Sequence, residues 1–236
     1  MSYEDKLAAT RAQLQDIHSN HYPAVLANSL GAEDMVLTDL IAAMGLSIEV
    51  FSLDTGRLHQ ESHDLLAKLA EHYPSLVLTV FHPDAQVLQA WVSQNGTNAF
   101  YRSTELRQQC CALRKVEPLR RALAGKQAWI TGMRREQSAT RGQLEASAFD
   151  HDNRLMKFNP LLEWRSDDVW RYLRDHAVPY NALHDRHYPS IGCSPCTRAI
   201  SAGEDLRAGR WWWEDPSARE CGLHVKQEEG GRDVSI

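Results

Sequence analysis

The sequence predicts an α/β protein with an open, mostly parallel β-sheet flanked by helices and a mobile C-terminal segment. Short apolar runs of strand type alternate with stretches of helical periodicity, and polar, glycine-containing loops follow the runs, which is the pattern of βαβ units. Of the 236 residues, 43% are hydrophobic, which is enough for a substantial core. After Pro179 regular structure is expected to thin out, and residues 227–236 are expected to fray.

The individual elements follow from local patterns. Leu7, Leu14 and Ile17 lie on one helical face and predict a first helix over residues 4–18. Short apolar runs bounded by turn residues predict strands at residues 24–28, 47–53, 75–81 and 127–131. Further helices are predicted at residues 35–44, at residues 58–72, from Asp84 to about Asn95, and in one long run that ends before Gly125. Residues 133–152 are interpreted as a charged loop, and Ser166 is expected to cap another helix.

Composition and charge exclude several classes of protein. The net charge of −5 and the pI of about 6.1 argue against broad binding to nucleic acid or to an anionic membrane. The N-terminal residues lack the basic-then-apolar order of a signal peptide, and no apolar run approaches the roughly 20 residues of a membrane span. Five cysteines, an odd number, indicate a reducing cytoplasm rather than a disulfide framework.

Four of the five cysteines form two pairs: the adjacent Cys110 and Cys111, and Cys193 and Cys196 with two residues between them. Four thiols in two pairs suggest one tetrathiolate metal site. Adjacent cysteines on a helix point about 100° apart. Holding one small zinc ion that way would strain the backbone, whereas an iron–sulfur cluster offers separate iron corners. On spacing alone, buried unliganded thiols and a structural zinc site stay open as alternatives.

Two polar loops follow predicted strands at the carboxyl edge of the sheet, where open sheets bind ligands. The loop from Ser29 to Asp34 contains Gly31, which lets the backbone approach a ligand, and it leads into a helix N-terminus whose free N–H groups suit an anion. The second loop consists of Leu53, Asp54, Thr55 and Gly56. Either loop alone is also explained as an ordinary turn. Side by side, they predict a nucleotide-binding crevice.

Several cations are expected to face an anion. Arg134 and Arg135 follow the fourth strand and carry the planar guanidinium groups that grip phosphate or sulfate. Arg114 and Lys115 lie one helical turn after Cys110 and Cys111, where they would stabilise the negative charge of a cluster. For both groups the alternative is a solvated, charged surface.

The C-terminal part combines cations, aromatic residues and a lone thiol. Arg207 and Arg210 precede three consecutive tryptophans, residues 211–213, which cannot all face one core. At least one is expected to pack across an interface or a ligand, or to anchor the C-terminal segment. Cys221 stands apart, with His224 three residues on. A nearby imidazole or arginine would favour the thiolate, which is the nucleophilic form.

Together these motifs resemble the assimilatory adenylylsulfate/phosphoadenylylsulfate reductase family, which has the adenine-nucleotide α-hydrolase-like fold. The resemblance runs from about Ser29 to His224. Its stretches, in order, are Ser-Leu-Gly-Ala-Glu-Asp, Leu-Asp-Thr-Gly-Arg, Cys-Cys-Ala-Leu-Arg-Lys, Thr-Gly-Met-Arg-Arg-Glu-Gln-Ser, Lys-Phe-Asn-Pro-Leu and Glu-Cys-Gly-Leu-His. The Ser-Leu-Gly at residue 29 differs from the Ser-Gly-Gly of ATP-cleaving relatives, which counts against ATP hydrolysis.

The resemblance implies a reaction and a set of residues for it. Cys221 would attack the sulfur of adenosine 5'-phosphosulfate and become S-sulfocysteine, and thioredoxin or a glutaredoxin-like dithiol would then release sulfite. The catalytic residues would be Cys221, His224 and Lys115. The four paired cysteines would bind a 4Fe–4S cluster: Cys110, Cys111, Cys193 and Cys196. The substrate would be bound by the two loops and four arginines: Ser29, Gly31, Leu53, Asp54, Thr55, Gly56, Arg134, Arg135, Arg207 and Arg210.

The same resemblance leads to expectations about organisation. Residues 1–205 would form the sulfonucleotide-binding domain with the cluster, and residues 206–236 would carry the catalytic cysteine. Within the latter, residues 211–224 would close over the nucleotide and swing out afterwards. A homo-oligomer is expected. The alternatives are a reductase of phosphoadenylylsulfate or of both substrates, a tRNA thiolase, and a non-enzymatic iron–sulfur sensor. The net negative charge of the chain counts against a tRNA thiolase.

Overall fold

Within residues 1–137 and 144–215, which a computed structural model of the protein describes, six strands form one sheet in the order β3-β2-β1-β4-β6-β5. Neighbouring strands are parallel except β5 and β6, which are antiparallel. The strands are β1 (Ala24–Ala27), β2 (Glu49–Leu53), β3 (Leu78–Phe81), β4 (Ala128–Ile130), β5 (Ser147–Asp150) and β6 (Leu155–Phe158). The predicted open, mostly parallel sheet is confirmed.

The α-helices of this part of the chain flank the sheet, and none of them is long and apolar enough to cross a membrane. They are α1 (Tyr3–Asn20), α2 (Ala32–Ala43), α3 (Gln60–His72), α4 (Ala85–Asn95), α5 (Thr104–Cys111), α6 (Glu117–Leu123) and α7 (Ser166–Asp175). Beyond α7 only short 3-10 turns occur in the described residues, as the sequence predicts.

Side chains fix where two of these helices begin. Asp84 caps α4 as predicted, because its carboxylate accepts the N–H of Val87 at 2.9 Å. Ser166 is the first residue of α7 rather than its cap, so that prediction is wrong by one position. Arg165 occupies the N-cap, and its N–H donates to the Asp168 carboxylate at 2.8 Å.

Alternate side chains of the central strands point to opposite faces of the sheet, so the core has two layers. Ala24 and Leu26 of β1 pack in a cluster with residues of α1, α2 and α7, whereas Val25 packs with residues of α6. Successive side chains of a strand point to opposite faces, so a strand buried on both sides reads as a continuous apolar run. The central strands therefore could be identified from sequence.

The other edge of the sheet departs from the predictions. The loop predicted over residues 133–152 includes β5, and β6 was not predicted as a strand at all. Positions along β5 are alternately exposed, and β6 is interrupted by Lys157, whose ammonium lies 4.6 Å from the centre of the Trp129 ring. Neither segment offers the continuous apolar run that marks a buried strand.

The long helix predicted through Cys110 and Cys111 is interrupted. Two helices, α5 and α6, are joined by a π-helical turn over Ala112–Val116. Such turns insert extra backbone into a helix and are frequent at functional sites. This one begins directly after Cys111 and carries Arg114 and Lys115.

The buried face of α2 is expected to be a main source of stability. Val36→Ala should lower the free energy of unfolding by about 2 kcal/mol, because Val36 is fully buried and its truncation leaves a cavity. Val87→Ala makes the same change on α4, where the side chain is 46% exposed, and should cost less than about 0.5 kcal/mol. Urea unfolding under anoxic conditions measures both; equal losses would contradict the assignment of the core.

Candidate active site

A cavity of about 260 Å³ opens at the carboxyl ends of β1, β2 and β4. The loops after these strands line it, Lys115 of the π turn borders it, and residues 189–193 and 206–211 complete its wall. Because the chain runs outward from β1 to β3 and then returns to β4 on the other side of β1, a topological switch point lies beneath the cavity. The cavity is located where the sequence predicts a nucleotide-binding crevice.

Asp34 ties two loops of the cavity together. Its carboxylate accepts the N–H and the hydroxyl of Ser29, at 2.8 and 2.6 Å, and the N–H of Gly132 at 3.0 Å. A Cβ on Gly132 would collide with this carboxylate and would lie 3.1 Å from the Asp34 backbone nitrogen, so glycine is required there. Burial raises the pKa of Asp34 to about 6, although the three hydrogen bonds oppose the shift. Ser29 and Gly31 also line the cavity.

Of the two adjacent arginines, Arg134 lines the cavity and Arg135 does not. Arg134 is buried and forms ion pairs at 2.8 Å with both Glu33 and Glu136, which balance its charge. Arg135 points to the surface and pairs with Glu163 at 2.7 Å. The expectation that both guanidinium groups face an anion therefore needs correction: the structure brings only Arg134 to the cavity.

Only some of the predicted residues in the loop after β2 line the cavity. Leu53 and Thr55 line the cavity, whereas Asp54 and Gly56 lie outside its walls. The Asp54 carboxylate accepts the Gly56 N–H at 2.8 Å and so shapes the turn, in which Gly56 has a φ of +69°. The hydrogen bond agrees with the turn interpretation for these two residues, and Leu53 and Thr55 are the residues of this loop that line the cavity.

All four paired cysteines are buried and none forms a disulfide. Cys110 and Cys111 end α5, and Cys193 and Cys196 flank a 3-10 turn over Ser194–Cys196. In the described chain Cys110, Cys193 and Cys196 pack in one cluster with Phe100 and Trp211. The two pairs, 82 positions apart in sequence, are thus brought together.

Polar groups from three directions contact the sulfurs. The Thr55 hydroxyl lies 3.2 Å from the Cys193 sulfur. Arg114 hydrogen-bonds Cys110, and it also donates to the Thr55 carbonyl at 2.6 Å. Arg107 hydrogen-bonds Cys111. The cysteines and the cavity therefore share Thr55 as a common wall.

Burial favours the protonated thiols of Cys110 and Cys196 in the absence of a ligand. It raises the pKa of Cys196 to about 12, with Cys193 adding to the rise and Lys115 and Arg210 opposing it. Burial also raises the pKa of Cys110, against the effect of Arg114. A positively charged ligand that binds thiolates would recover this desolvation cost, and the surrounding cations would stabilise the resulting charge.

The donor set fits an iron–sulfur cluster in its chemistry. Four buried sulfurs on two backbone segments, contacted by hydrogen-bond donors and cations, are the ligand type that such a cluster takes. Four thiolates are also the donor set of a structural zinc site, which needs the sulfurs at about 2.3 Å from one point. In the parts of the chain that the structure describes, no group of three or more His, Cys, Asp or Glu side chains is placed to hold one metal ion.

Lys115, Arg207 and Arg210 line the cavity on the side of the cysteines. Arg210 is buried, and its guanidinium donates to the Ile191 carbonyl at 3.1 Å and to the Ser190 hydroxyl at 3.4 Å. Trp211 stacks on it, with 4.7 Å between the guanidinium carbon and the ring centre. Guanidinium and ammonium groups that face a cavity next to buried sulfur suit an oxyanion ligand.

The tryptophan run separates into three environments. Trp211 is fully buried among the cysteines, Trp213 packs on Tyr101 at 4.5 Å between ring centres, and Trp212 is 46% exposed. Glu214 forms a two-pronged ion pair with Arg107, both bonds 2.9 Å, and both side chains are nearly inaccessible. In this structure residues 211–214 pack against the rest of the protein, and the expected movement of residues 211–224 stays a prediction.

Cys221 and His224, the predicted nucleophile and its neighbour, lie outside the described residues. The division into residues 1–205 and 206–236 stays a prediction. Sequence reasoning missed residues 189–192 as a cavity wall and Arg107 as a partner of both Cys111 and Glu214. Gly192, next to Cys193, was the available signal for the first.

The fold and cavity define a class of nucleotide-binding α/β proteins, and solved structures agree. The chain resembles phosphoadenylyl-sulfate (PAPS) reductase from Candida auris, in a phosphate complex, with a TM-score of 0.70, 25% identity, and coverage of 81% of this chain and 90% of that one. Yeast FAD synthetase in complex with FAD, 17% identical, has a TM-score of 0.56 over 84% of this chain and 67% of its own, which shows likeness of fold alone.

The particular family within this class follows from sequence. The model of the phosphoadenosine phosphosulfate reductase domain matches residues 23–199, and the chain belongs to that family. A relative from Allochromatium vinosum is 53% identical over 204 residues, 86% of this chain and 79% of the relative. A relative from Neisseria meningitidis serogroup B is 49% identical over 220 residues, which are 93% of this chain and 89% of the relative. Both are named adenosine 5'-phosphosulfate reductase, and the predicted family is confirmed.

Asp34→Asn is expected to remove a pH dependence of stability. Between the ordinary pKa of 3.8 and the folded value of about 6, folded Asp34 holds a proton that the unfolded chain has released. The contribution of Asp34 to the free energy of unfolding is therefore largest below pH 4 and falls as pH rises to about 6. Relative to the variant, the wild type should lose on the order of 2–3 kcal/mol across this window. Anoxic urea unfolding from pH 4 to pH 7.5 measures the difference, and a constant difference would contradict the shifted pKa.

Proposed function

We propose that this protein reduces adenosine 5'-phosphosulfate to sulfite and AMP in the assimilation of sulfate, with thioredoxin or a similar dithiol protein as the electron donor. One observation carries the proposal: the buried cysteine cluster shares a wall with a cavity at the switch point, and cations line that wall. The relatives named adenosine 5'-phosphosulfate reductase, which match along nearly the whole chain, support the choice of substrate. The four buried cysteines, none of which is in a disulfide, support a reducing cytoplasm as its location.

The proposed reaction has two displacements at sulfur. The Cys221 thiolate attacks the sulfur of the sulfonucleotide, the bond from that sulfur to the bridging oxygen breaks, and AMP leaves with the electron pair. Cys221 then carries a sulfo group. A thiolate of the dithiol attacks the Cys221 sulfur and sulfite leaves with the electron pair of the sulfur–sulfur bond. The second thiol of the donor resolves the mixed disulfide, so that the dithiol supplies both electrons.

Residues of the cavity wall stabilise the first displacement. Negative charge grows on the departing phosphate, and Lys115, Arg207 and Arg210 line the cavity where such charge would be bound. The Arg134 guanidinium contributes less, because Glu33 and Glu136 already neutralise it. Ser29 and Thr55 supply hydroxyl groups at the ends of β1 and β2.

Cys110, Cys111, Cys193 and Cys196 would hold a 4Fe–4S cluster. When bound, the cluster would order this side of the cavity and add a charge that Lys115 and Arg210 balance, and it need not carry electrons. Lys115 acts on Cys196 electrostatically and borders the cavity, so it would link the two sites. Arg114 and Arg107 would donate to ligand sulfurs, which fixes the orientation of the cysteines.

Phosphoadenosine 5'-phosphosulfate is the second candidate substrate. The family model carries its name, and the reductase from Candida auris shares the fold with 25% identity. The membership in this family weighs against a tRNA thiolase, since the matched model covers residues 23–199 and thus both cysteine pairs. The dithiol donor and the homo-oligomer stay predictions.

Trapping the intermediate tests the proposed reaction. Protein incubated anoxically with adenosine 5'-phosphosulfate labelled in the sulfur, without any reductant, should retain about one label per chain, on Cys221. Added thioredoxin should release the label as sulfite, because the dithiol attacks the sulfo-cysteine.

Cys221→Ser is the control for this experiment. The variant should retain no label and lose at least about 10³-fold in turnover, since the nucleophile is gone. Its iron content should equal that of the wild type. Label on another cysteine, or full sulfite release by the variant, would contradict the mechanism; labelling by phosphoadenosine 5'-phosphosulfate alone would favour the second candidate.

Lys115 is expected to act on substrate rather than on cofactor retention. Lys115→Ala should leave the visible absorbance of the cluster intact and reduce turnover about 10²-fold, because a fixed cation next to the departing phosphate is lost. Lys126→Ala is the matched control, since Lys126 pairs with Glu49 at 2.6 Å outside the cavity. Turnover that falls equally in both variants, or not at all in Lys115→Ala, would refute this role.

A further inference from the structure

We propose that Gly192 is a positioning residue that fixes the guanidinium of Arg210 in the cavity wall, and thereby sets how that cation meets the anionic part of the substrate. The substrate half of this inference rests on the proposed function. Gly192 directly precedes Cys193, and both Gly192 and Arg210 line the cavity.

Gly192 leaves no space for a side chain. A Cβ built there would lie 2.5 Å from Nη2, 2.6 Å from Cζ and 3.0 Å from Nε of Arg210. The guanidinium therefore lies flat against the glycine, at a distance that no other amino acid permits. The φ angle of Gly192 is outside the left-handed region, so the backbone itself would accept alanine. Glycine is needed here because of one neighbouring side chain.

An aromatic ring also contacts the guanidinium. Trp211, which is fully buried, lies with its ring centre 4.7 Å from the guanidinium carbon. The indole ring and the glycine backbone therefore both restrict where the group can lie. Its Nη1 donates to the Ile191 carbonyl at 3.1 Å, one residue before the glycine. The backbone next to Arg210 is tied down as well, because the N–H of Trp211 donates to the Cys196 carbonyl at 3.1 Å.

These contacts order the Arg210 side chain before substrate binds. A free arginine side chain loses about 2 kcal/mol of conformational entropy when it is immobilised. In this protein the Arg210 side chain loses that entropy on folding, so the loss does not weaken substrate binding. A methyl group on Gly192 would have to displace the guanidinium by about 1 Å, and misplacements of this size cost about 10²-fold in rate. The side chain is long, so the fold should accommodate the change.

A different role for Gly192 is conceivable, namely to give the backbone at Cys193 the freedom that cofactor binding needs. The two roles differ in one measurable respect. If Gly192 acts through Arg210, Gly192→Ala should not change activity further in a protein that already carries Arg210→Ala. If it acts through Cys193, its cost persists in that background.

The test is a double-mutant cycle of the full-length, anoxically prepared protein: wild type, Gly192→Ala, Arg210→Ala and the double variant. We expect Gly192→Ala to lower kcat/KM for adenosine 5'-phosphosulfate about 30- to 100-fold with unchanged iron content and Tm. In the Arg210→Ala background it should change kcat/KM less than about 2-fold. An undiminished effect in that background, or full activity of Gly192→Ala, would overturn the proposal.

A second readout does not depend on the substrate. Phenylglyoxal modifies accessible arginines, and mass spectrometry after digestion gives the rate at each position. Arg210, which is buried, should react several-fold faster in Gly192→Ala than in the wild type, whereas the exposed Arg198 in the same digest should react equally in both. Unchanged protection of Arg210 would overturn the positioning claim. If no protein in the cycle turns over adenosine 5'-phosphosulfate, the proposed function fails while this readout still decides the role of Gly192.

Discussion

The burial of four cysteine side chains on two neighbouring segments constrains most of this structure. A buried thiol is tolerated, but a buried thiolate needs compensating positive charge. The chain meets this need from three sides: Arg107 from α5, Arg114 and Lys115 from the π turn, and Arg210 from the C-terminal part. These cations act on the sulfurs, and two of them also line the cavity. The electrostatics of cofactor site and cavity are therefore not separable.

Charge balance also explains which cations remain available to a ligand. Arg134 reaches the cavity but is neutralised by Glu33 and Glu136, and Arg107 is neutralised by Glu214. The Arg107–Glu214 and Arg134–Glu33 pairs are largely buried, so removing one partner of either would leave a desolvated charge and cost several kcal/mol. They hold the loop after β4 and the first residues after Trp211 in place. Fixed walls on two sides give the cavity the preorganisation that electrostatic stabilisation requires.

The sequence specified the central sheet and the cysteine pairs because each leaves a local signal. Strands β1 and β2 are apolar runs, and the paired cysteines are adjacent or nearly so. The edge strand β5 lacked such a signal because alternate positions along it are exposed, and its neighbour β6 lacked it because Lys157 interrupts the apolar run. The π turn over Ala112–Val116 could not be predicted, since the residues of this stretch are compatible with an uninterrupted α-helix. Likewise, sequence placed Arg134 and Arg135 together, and only tertiary contacts send one inward and the other outward.

The central claim is that the four buried sulfurs bind one 4Fe–4S cluster. Iron and acid-labile sulfide, determined on protein purified without exposure to oxygen and never reconstituted, test it most directly. The account predicts about four iron and four sulfide per chain, with a broad visible absorbance band. Protein that is fully folded but contains neither, or that contains a single zinc ion instead, would contradict it.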